Sequence, residues 1–416
     1  MSPRTPRIGA WFIGARGSVA TTATVGTLAL RAGLAPSDGC VTELPPVAAA
    51  GLPALTGIVT GGHEIGEGSL PKRAEELAAG GVFPVALARA LCAELAEVDT
   101  RIRPGTAPGG ETQRAAARRI QDDLTAFRDR HGLDEVVVVD VSSTEPPAAD
   151  TPELTSLDRL EEALDRGESP LPASSLYAYA AFRAGCPVVA FTPSPGPALP
   201  AVAELARRAG LPWAGSDGKT GETLLKSALA PMFAHRALAV RSWASVNLLG
   251  GGDGRTLADP AAAESKLRTK GQGLETILGH PVDGPMHIDY VADLGDWKTA
   301  WDHVSFEGFL GTRMSLQFTW NGCDSALAAP LVLDLVRLTA RAKQAGRSGP
   351  QAPLGFFFKN PAGTEQHDLG EQWRALVDWC AELAAEGTGA ADGTGDGDGT
   401  GDGDGQGHRD GTGAGA

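Results

Sequence analysis

The chain has 416 residues, of which 42% are hydrophobic and 21% charged, and its formal net charge is -15. That length and apolar content exceed what one compact domain usually holds, so two domains are expected. The negative charge repels nucleic acid and anionic membrane surfaces and argues against both as partners, and a phosphorylated substrate would need local lysines to overcome that field.

The chain opens with MSPRTPRIGAWFIG, in which Ile8 to Ile13 reads as a first strand. The run leads into a glycine turn and not into a small-residue cleavage site, so no signal peptide is expected. Gly14, Gly17 and Ala20 fall between that strand and an amphipathic helix. Glycines there permit a tight turn and bring the backbone N–H groups of Gly14, Ala15, Arg16, Gly17 and Ser18 toward a dinucleotide pyrophosphate at the helix N-terminus. The spacing is GxxGxxA and not GxGxxG, which leaves a turn that merely packs strand on helix as the alternative. A second strand, Gly57 to Thr60, runs into TGGHE, where Glu64 either takes a ribose hydroxyl or is a solvated loop carboxylate.

A helix is expected over Thr112 to Arg130 and a strand over Glu135 to Val141. Ser142, Ser143 and Thr144 follow at the carboxyl edge of the sheet, where ligands of doubly wound folds gather. Ser174 to Ala184 reads as a helix opened by serines suited to capping, and Pro187 to Phe191 as the next strand. This alternation is that of βαβ units in a mostly parallel sheet.

The segment AGSDGKTGETLLKS places Ser216, Asp217, Lys219, Thr220, Gly221 and Thr223 just before a helix. Hydroxyls, free N–H groups and a lysine at a helix N-terminus suit a phosphate, although an ordinary capped helix has the same look. From about Ala239 the pattern changes to long alternating strands, LAVRSWASVNLL and FEGFLGTRMSLQFTW, which indicates a separate α+β domain. Lys266 and Lys270 share one helical face, as solvating lysines also do. After Asp324 an apolar helix returns, and LGFFFKNPAG reads as a strand and loop. Lys359 at the end of such a strand would exchange protons more readily than a surface lysine, with snorkelling as the alternative. Lys298 lies in GDWKTAWD.

The tail from Gly387 onward is nearly all Gly, Asp and Thr and is expected to be disordered, since it buries too little apolar surface to offset chain entropy. Five widely spaced cysteines form no CxxC pair or zinc spacing, which suggests a reducing cytoplasm and no metal site. No apolar run approaches the ~18 to 20 residues that span a bilayer.

Six segments in order, PASSLYAYAAFRAGCPVVAFTPSPG, AGSDGKTGETLLKS, SWASVNLLGGGDG, ESKLRTK, HIDYVADLGDWKTAWDHVSFEGFLG and CDSALAAPLVLDLV, resemble the myo-inositol-1-phosphate synthase family over most of residues 8–365. The resemblance implies an α/β chain: a Rossmann-type doubly wound parallel sheet formed by residues 1–221 and 325–386, with an inserted α+β catalytic domain, 222–324, and a tail, 387–416. It implies NAD as cofactor, a homotetramer, and conversion of D-glucose 6-phosphate to 1D-myo-inositol 3-phosphate by oxidation at C5, enolisation, aldol closure and re-reduction. Lys359 is then the proton acceptor and donor at C5, and Lys266 and Lys298 stabilise oxyanions. Asp217 and Asp324 orient lysines or the nicotinamide end, with Ser325 beside the latter. Thr220, Gly221, Thr223 and Lys270 hold the phosphate, and the glycine turn, Glu64, Ser142 to Thr144 and Asp253 face the cofactor.

Two departures stand out. Gly251 and Gly252 replace an asparagine pair common in the family, and Glu222 replaces a glutamine. A carboxylate facing phosphate is repulsive unless it turns away or pairs with a lysine. These departures leave open a related cyclase acting on another hexose phosphate, such as fructose 6-phosphate, and the glycine turn alone would also permit a plain dehydrogenase.

Overall fold

A computed structural model of the chain describes residues 6–107, 109–251 and 273–389, with side chains to residue 386. Two sheets organise it. The first has seven parallel strands, β1 (Ile8–Ile13), β2 (Val59–Glu64), β3 (Ile102–Pro104), β4 (Glu135–Asp140), β5 (Val188–Ala190), β6 (Pro212–Gly215) and β11 (Gly349–Pro350), in the order β11-β6-β5-β4-β1-β2-β3. The second contains β7 (Ala239–Leu249), β8 (Met286–Tyr290), β9 (Trp297–Glu307) and β10 (Arg313–Cys323), in the order β10-β9-β7-β8. All strands of the second sheet fall between β6 and β11 in the chain.

The sequences IGAWFI and EVVVVD explain the centre of the first sheet. Every residue of β1 and β4 is buried, as a strand covered by helices on both faces requires, so each needs a continuous apolar run. One face packs on the helices Ser18–Arg31 and Asp324–Gln344, the other on Gln113–His131 and Ala173–Arg183. The second sheet has the alternation of a half-covered sheet: Val240, Trp243, Ser245 and Asn247 of β7 are buried while their neighbours are not.

The helix Asp324–Gln344 carries Asp324 to the carboxyl edge of the first sheet, and its middle is pinned by polar contacts. Asp334, fully buried, accepts the N–H groups of Val41 at 2.7 Å and Thr42 at 3.0 Å. Arg337 donates to the Pro53 carbonyl at 2.7 Å and Arg341 to that of Ala50 at 2.9 Å. The helix thereby fixes residues 41–53 against itself.

Several expectations are corrected. LGFFFKNPAG is not a strand; Ala352–Phe357 form a 3-10 helix, because Pro353 cannot donate to a ladder and the segment closes over the sheet edge. FEGFLGTRMSLQFTW is not one strand but the turn of a hairpin: β9 ends at Glu307, Phe309–Gly311 reverses the chain with Leu310 at a φ of 58°, and β10 returns. The second strand starts two residues later than expected and continues to Glu64. The helix after Pro172 begins at Ala173, so Ser174 lies in its first turn and is not its cap. The expected disordered tail, with Lys266, Lys270, Gly252 and Asp253, lies outside the described residues apart from the first three residues of the tail, which continue the Leu369–Gly389 helix. No described helix is long and apolar enough to cross a membrane.

Asp334→Ala would leave the buried Thr42 N–H and the half-buried Val41 N–H without their acceptor, at a cost of up to about 1–3 kcal/mol each. A loss of about 2–5 kcal/mol in chemical denaturation is expected on that basis; an unchanged midpoint would show that the 41–53 segment is held by other means.

Candidate functional site

The site begins with a short backbone pairing beyond β6. Ser216 N–H donates to the Asn360 carbonyl at 2.6 Å and Asn360 N–H returns to Ser216 at 3.1 Å, while Lys359 N–H donates to Asp217 at 2.7 Å and Lys219 N–H to Phe357 at 2.8 Å. Two loops 142 residues apart are thus laid side by side, and Lys359 Nζ meets Asp217 Oδ1 at 2.8 Å. The pairing needs a glycine at 218, where a Cβ would stand 2.2 to 2.7 Å from three ring atoms of Phe191. Asp217 takes a φ of 60°, which a short polar side chain tolerates better than most.

Three clefts follow one another along the carboxyl edge of the sheet. The first, about 870 Å³, is lined by Gly14, Gly17, Glu64, Ser142, Ser143 and Tyr177. The second, about 550 Å³, shares Val141 and Ser142 with it and adds Thr144, Thr192, Thr220 and Asp324. The third, about 510 Å³, lies toward the second sheet and is lined by Lys219, Thr223, Lys226, Ser227 and His367. Asp217 and Lys359 line both the second and the third.

The register of the second sheet delivers another lysine. Lys298, near the start of β9, lies opposite Gly322 of β10, two residues before Asp324 opens its helix. Its ammonium pairs with Asp324 Oδ2, while Thr220 Oγ1 donates to Asp324 Oδ1 at 3.2 Å. A Cβ on Gly221, at the start of the helix Gly221–His235, would lie 3.1 Å from Lys298 Cε. Asp217, Lys359, Thr220, Gly221, Thr223, Lys298 and Asp324 are therefore brought together. Ser325 is buried beside them, with its hydroxyl 3.4 Å from Cys323 Sγ, and lines neither cleft.

At the glycine turn the backbone is partly occupied. Gly14 and Ala15 N–H groups both donate to the His63 carbonyl, at 3.0 and 3.1 Å, and Gly17 N–H donates to Gly14. Glu64 lines the first cleft, but its carboxylate accepts Arg16 N–H at 2.9 Å, Ile65 N–H at 2.8 Å and Gly66 N–H at 2.9 Å. It clamps the turn from the cleft wall. The Arg16 guanidinium reaches Asp99 at 2.9 Å, and Ser18 Oγ accepts from Arg73 at 2.8 Å. Gly14 adopts a φ of 83° with Ser142 Cα only 3.1 Å from where a Cβ would stand, so the turn and the Ser142 loop approach as glycine alone permits.

Two buried titratable groups underlie the first cleft. Asp140 is pushed up to about 6 by burial, against which Ser142 donates both N–H, at 3.0 Å, and Oγ–H, at 2.6 Å. His63 is fully buried, and burial lowers its pKa. Its Nδ1 accepts from the Trp11 indole at 2.8 Å, which puts the proton on Nε2, 3.0 Å from Asp123.

Sequence reasoning named no role for Lys226, Asp302 or Ser245. Lys226 Nζ lies 2.5 Å from Glu222, 3.2 Å from Ser245 Oγ and 3.7 Å from Asp302, and all four residues are buried. The unusual Glu222 thus pairs with a lysine one turn on, an i, i+4 signal present in GETLLKS. Asp302 and Ser245 carried no such signal, because only the β7–β9 register sets them opposite each other.

Residues 8–380 match the family described as Myo-inositol-1-phosphate synthase. Inositol-3-phosphate synthase 1 of Bacteroides thetaiotaomicron is 33% identical over 425 residues, covering 93% of this chain and 97% of that protein. Inositol-3-phosphate synthase of Trypanosoma brucei brucei is 36% identical over 235 residues, which is 54% of this chain and 44% of that protein. Among solved structures, inositol-3-phosphate synthase of Caenorhabditis elegans matches with a TM-score of 0.79 at 22% identity, over 92% of this chain and 86% of that one. A myo-inositol-1-phosphate synthase-related protein of Thermotoga maritima matches with a TM-score of 0.72 at 24% identity, over 90% and 98%. These two structures share the fold of this chain.

Gly218→Ala forces a methyl group into the Phe191 ring and should part the two loops. A loss of about 1–3 kcal/mol in thermal or chemical unfolding is expected; wild-type stability would mean that Phe191 moves aside freely.

Proposed function

This chain belongs to the myo-inositol-1-phosphate synthase family, and on that premise we propose that it binds NAD and converts D-glucose 6-phosphate to 1D-myo-inositol 3-phosphate. Its relatives are named as inositol-3-phosphate synthases, enzymes of the isomerase class, and it is an enzyme of that type. The observation that carries the substrate-level reading is the position of Asp217 and Lys359. They stand where the cleft that begins at the glycine turn meets the lysine-lined cavity.

The first two clefts fit a dinucleotide. The N-terminus of the helix Ser18–Arg31 opens beside Gly14 and Gly17, and the space continues past Ser142 to Asp217 and Asp324. NAD, when bound, supplies a hydride acceptor and donor for a cyclisation with no net redox change. In this reading Gly14, Ala15, Arg16, Gly17 and Ser18 shape the pyrophosphate end, Glu64 holds that turn in place, and Ser142, Ser143, Thr144, Asp253, Asp324 and Ser325 continue the cofactor side.

The third cavity then receives the sugar phosphate. Lys359, in its neutral form, takes the proton of the C5 hydroxyl and later returns it, and Asp217 at 2.8 Å stabilises the ammonium formed in between. Lys298, oriented by Asp324, supplies positive charge to the oxyanion that develops as the ring closes. Lys266 shares that role, and Lys270 joins Thr220, Gly221 and Thr223 at the phosphate, both by the family resemblance. Glu222 is engaged by Lys226, which supports the glucose 6-phosphate reading over a different hexose phosphate, since the departure from glutamine brings no unbalanced carboxylate. The exposed Trp301, Phe309, Leu310 and Met314 of the second sheet support assembly into a homo-oligomer, a tetramer by family resemblance.

Incubation with glucose 6-phosphate and NAD, followed by phosphorus NMR and chromatography of the product, tests the proposal. An inositol monophosphate without lasting accumulation of NADH is expected. A carbocycle formed from fructose 6-phosphate instead, or a steady rise in NADH, would overturn it.

A further inference from the structure

Three of the four described lysines around the clefts already face a carboxylate. Lys359 has Asp217, Lys298 has Asp324 and Lys226 has Glu222. Lys219 differs. It is 4% exposed, its ammonium donates to the amide oxygen Oε1 of Gln372, and it lies 5.9 Å from the centre of the Phe356 ring. No carboxylate pairs with it among the described residues, and Asp368 alone adds a favourable field.

Burying an ammonium costs several kcal/mol unless an anion answers it. Gln372 is a neutral partner and is itself fixed: its Nε2 donates to the Gln366 carbonyl at 2.5 Å, which turns Oε1 toward Lys219. The lysine lines the third cavity together with the Thr223 hydroxyl, and its own residue comes two before the helix Gly221–His235, whose N-terminus favours negative charge. A cavity that holds a cation with no carboxylate partner among the described residues, together with a hydroxyl from the first turn of that helix, is chemically complementary to a phosphate monoester dianion.

We infer that Lys219 is the charge that receives the phosphate group of the substrate, with Gln372 as the positioning residue that holds the ammonium in place until the anion arrives. The inference rests on the reading of the site as one for a sugar phosphate. The lysines then divide the work, with Lys359 and Lys298 serving the reacting carbons and Lys219 serving the anchor.

A pH dependence follows. Burial lowers Lys219 to about 7, so the free enzyme loses this charge as pH rises above that value. Phosphate binding favours the ammonium and draws a proton onto it. The other ionisable groups that face the cavity are Asp217, Lys226, Lys359 and His367, with Asp368 behind Lys219. Stability moves the opposite way. A lysine with a lowered folded-state pKa imposes its full burial cost below pH 7, and that cost fades between about 7 and its unfolded value of about 10.4.

Lys219→Met and Gln372→Glu test this. Titration of the protein with glucose 6-phosphate without NAD, in buffers of different ionisation enthalpy at pH 8, reads affinity and proton uptake together. Wild-type protein should take up protons on binding. Lys219→Met should bind about 10- to 100-fold more weakly with no proton uptake, while melting no lower than wild type near pH 7, with the gap to wild type narrowing as pH rises. Gln372→Glu, which gives the lysine a permanent partner, should also weaken binding. Unchanged affinity in both variants would overturn the inference, as would lower stability of Lys219→Met with wild-type affinity. Inorganic phosphate as a second probe separates this outcome from that of the function: if wild-type protein makes no inositol phosphate yet Lys219→Met loses phosphate binding, the anion site stands and the substrate assignment falls.

Discussion

Four backbone hydrogen bonds between residues 216–219 and 357–360 hold two loops edge to edge, and the site depends on them. The first loop is the continuation of β6, the second follows the 3-10 helix that closes the sheet after the chain has made the whole second sheet. Because the second sheet lies between the two loops in the chain, the pairing both closes the first sheet around it and aims Asp217 at Lys359. Gly218 keeps the paired loops flat against Phe191, and no side chain fits in its place. A change in this ladder moves the boundary shared by the second and third clefts, not merely one side chain.

Electrostatics impose a second constraint. In a chain of net charge -15, lysines proposed to work on a phosphorylated sugar need their positions fixed against the surrounding carboxylates. The structure pairs three of the described lysines with specific acids: loop to loop for Lys359, strand to helix for Lys298, and turn to turn within one helix for Lys226. Such pairs orient a cation more than they stabilise the fold, since burying both charges costs about as much as their attraction returns. Lys219 is the exception among the described lysines around the clefts, answered by the amide of Gln372 and not by a carboxylate, which suits the anion-anchoring role inferred for it.

Much of this was legible in sequence. The alternation of short strand runs with helices declared a mostly parallel sheet, and the alternation in β7 declared a half-buried one. Glycines at 14 and 17 marked the turn, and at Gly14 only a residue without Cβ fits beside Ser142. What sequence did not reveal were pairings between distant elements. Phe356 to Phe358 look like strand residues, but Pro353 and the need to cap the sheet edge make them a 3-10 helix and its exit. Glu64 sits at the right strand end for a ribose ligand, yet three backbone N–H groups converge on it from two segments. The partner of Lys219 comes from a helix 153 residues away, which no local pattern announces.

The proposal that Asp217 and Lys359 act as one unit is tested most directly by a double-mutant cycle on kcat/KM with Asp217→Asn, Lys359→Met and the combination. If the pair shares one proton transfer, Lys359→Met alone should cost roughly 10²- to 10⁴-fold, and adding Asp217→Asn should lower the rate little further. Losses that multiply, so that the double variant falls by the product of the two single effects, would contradict a shared role.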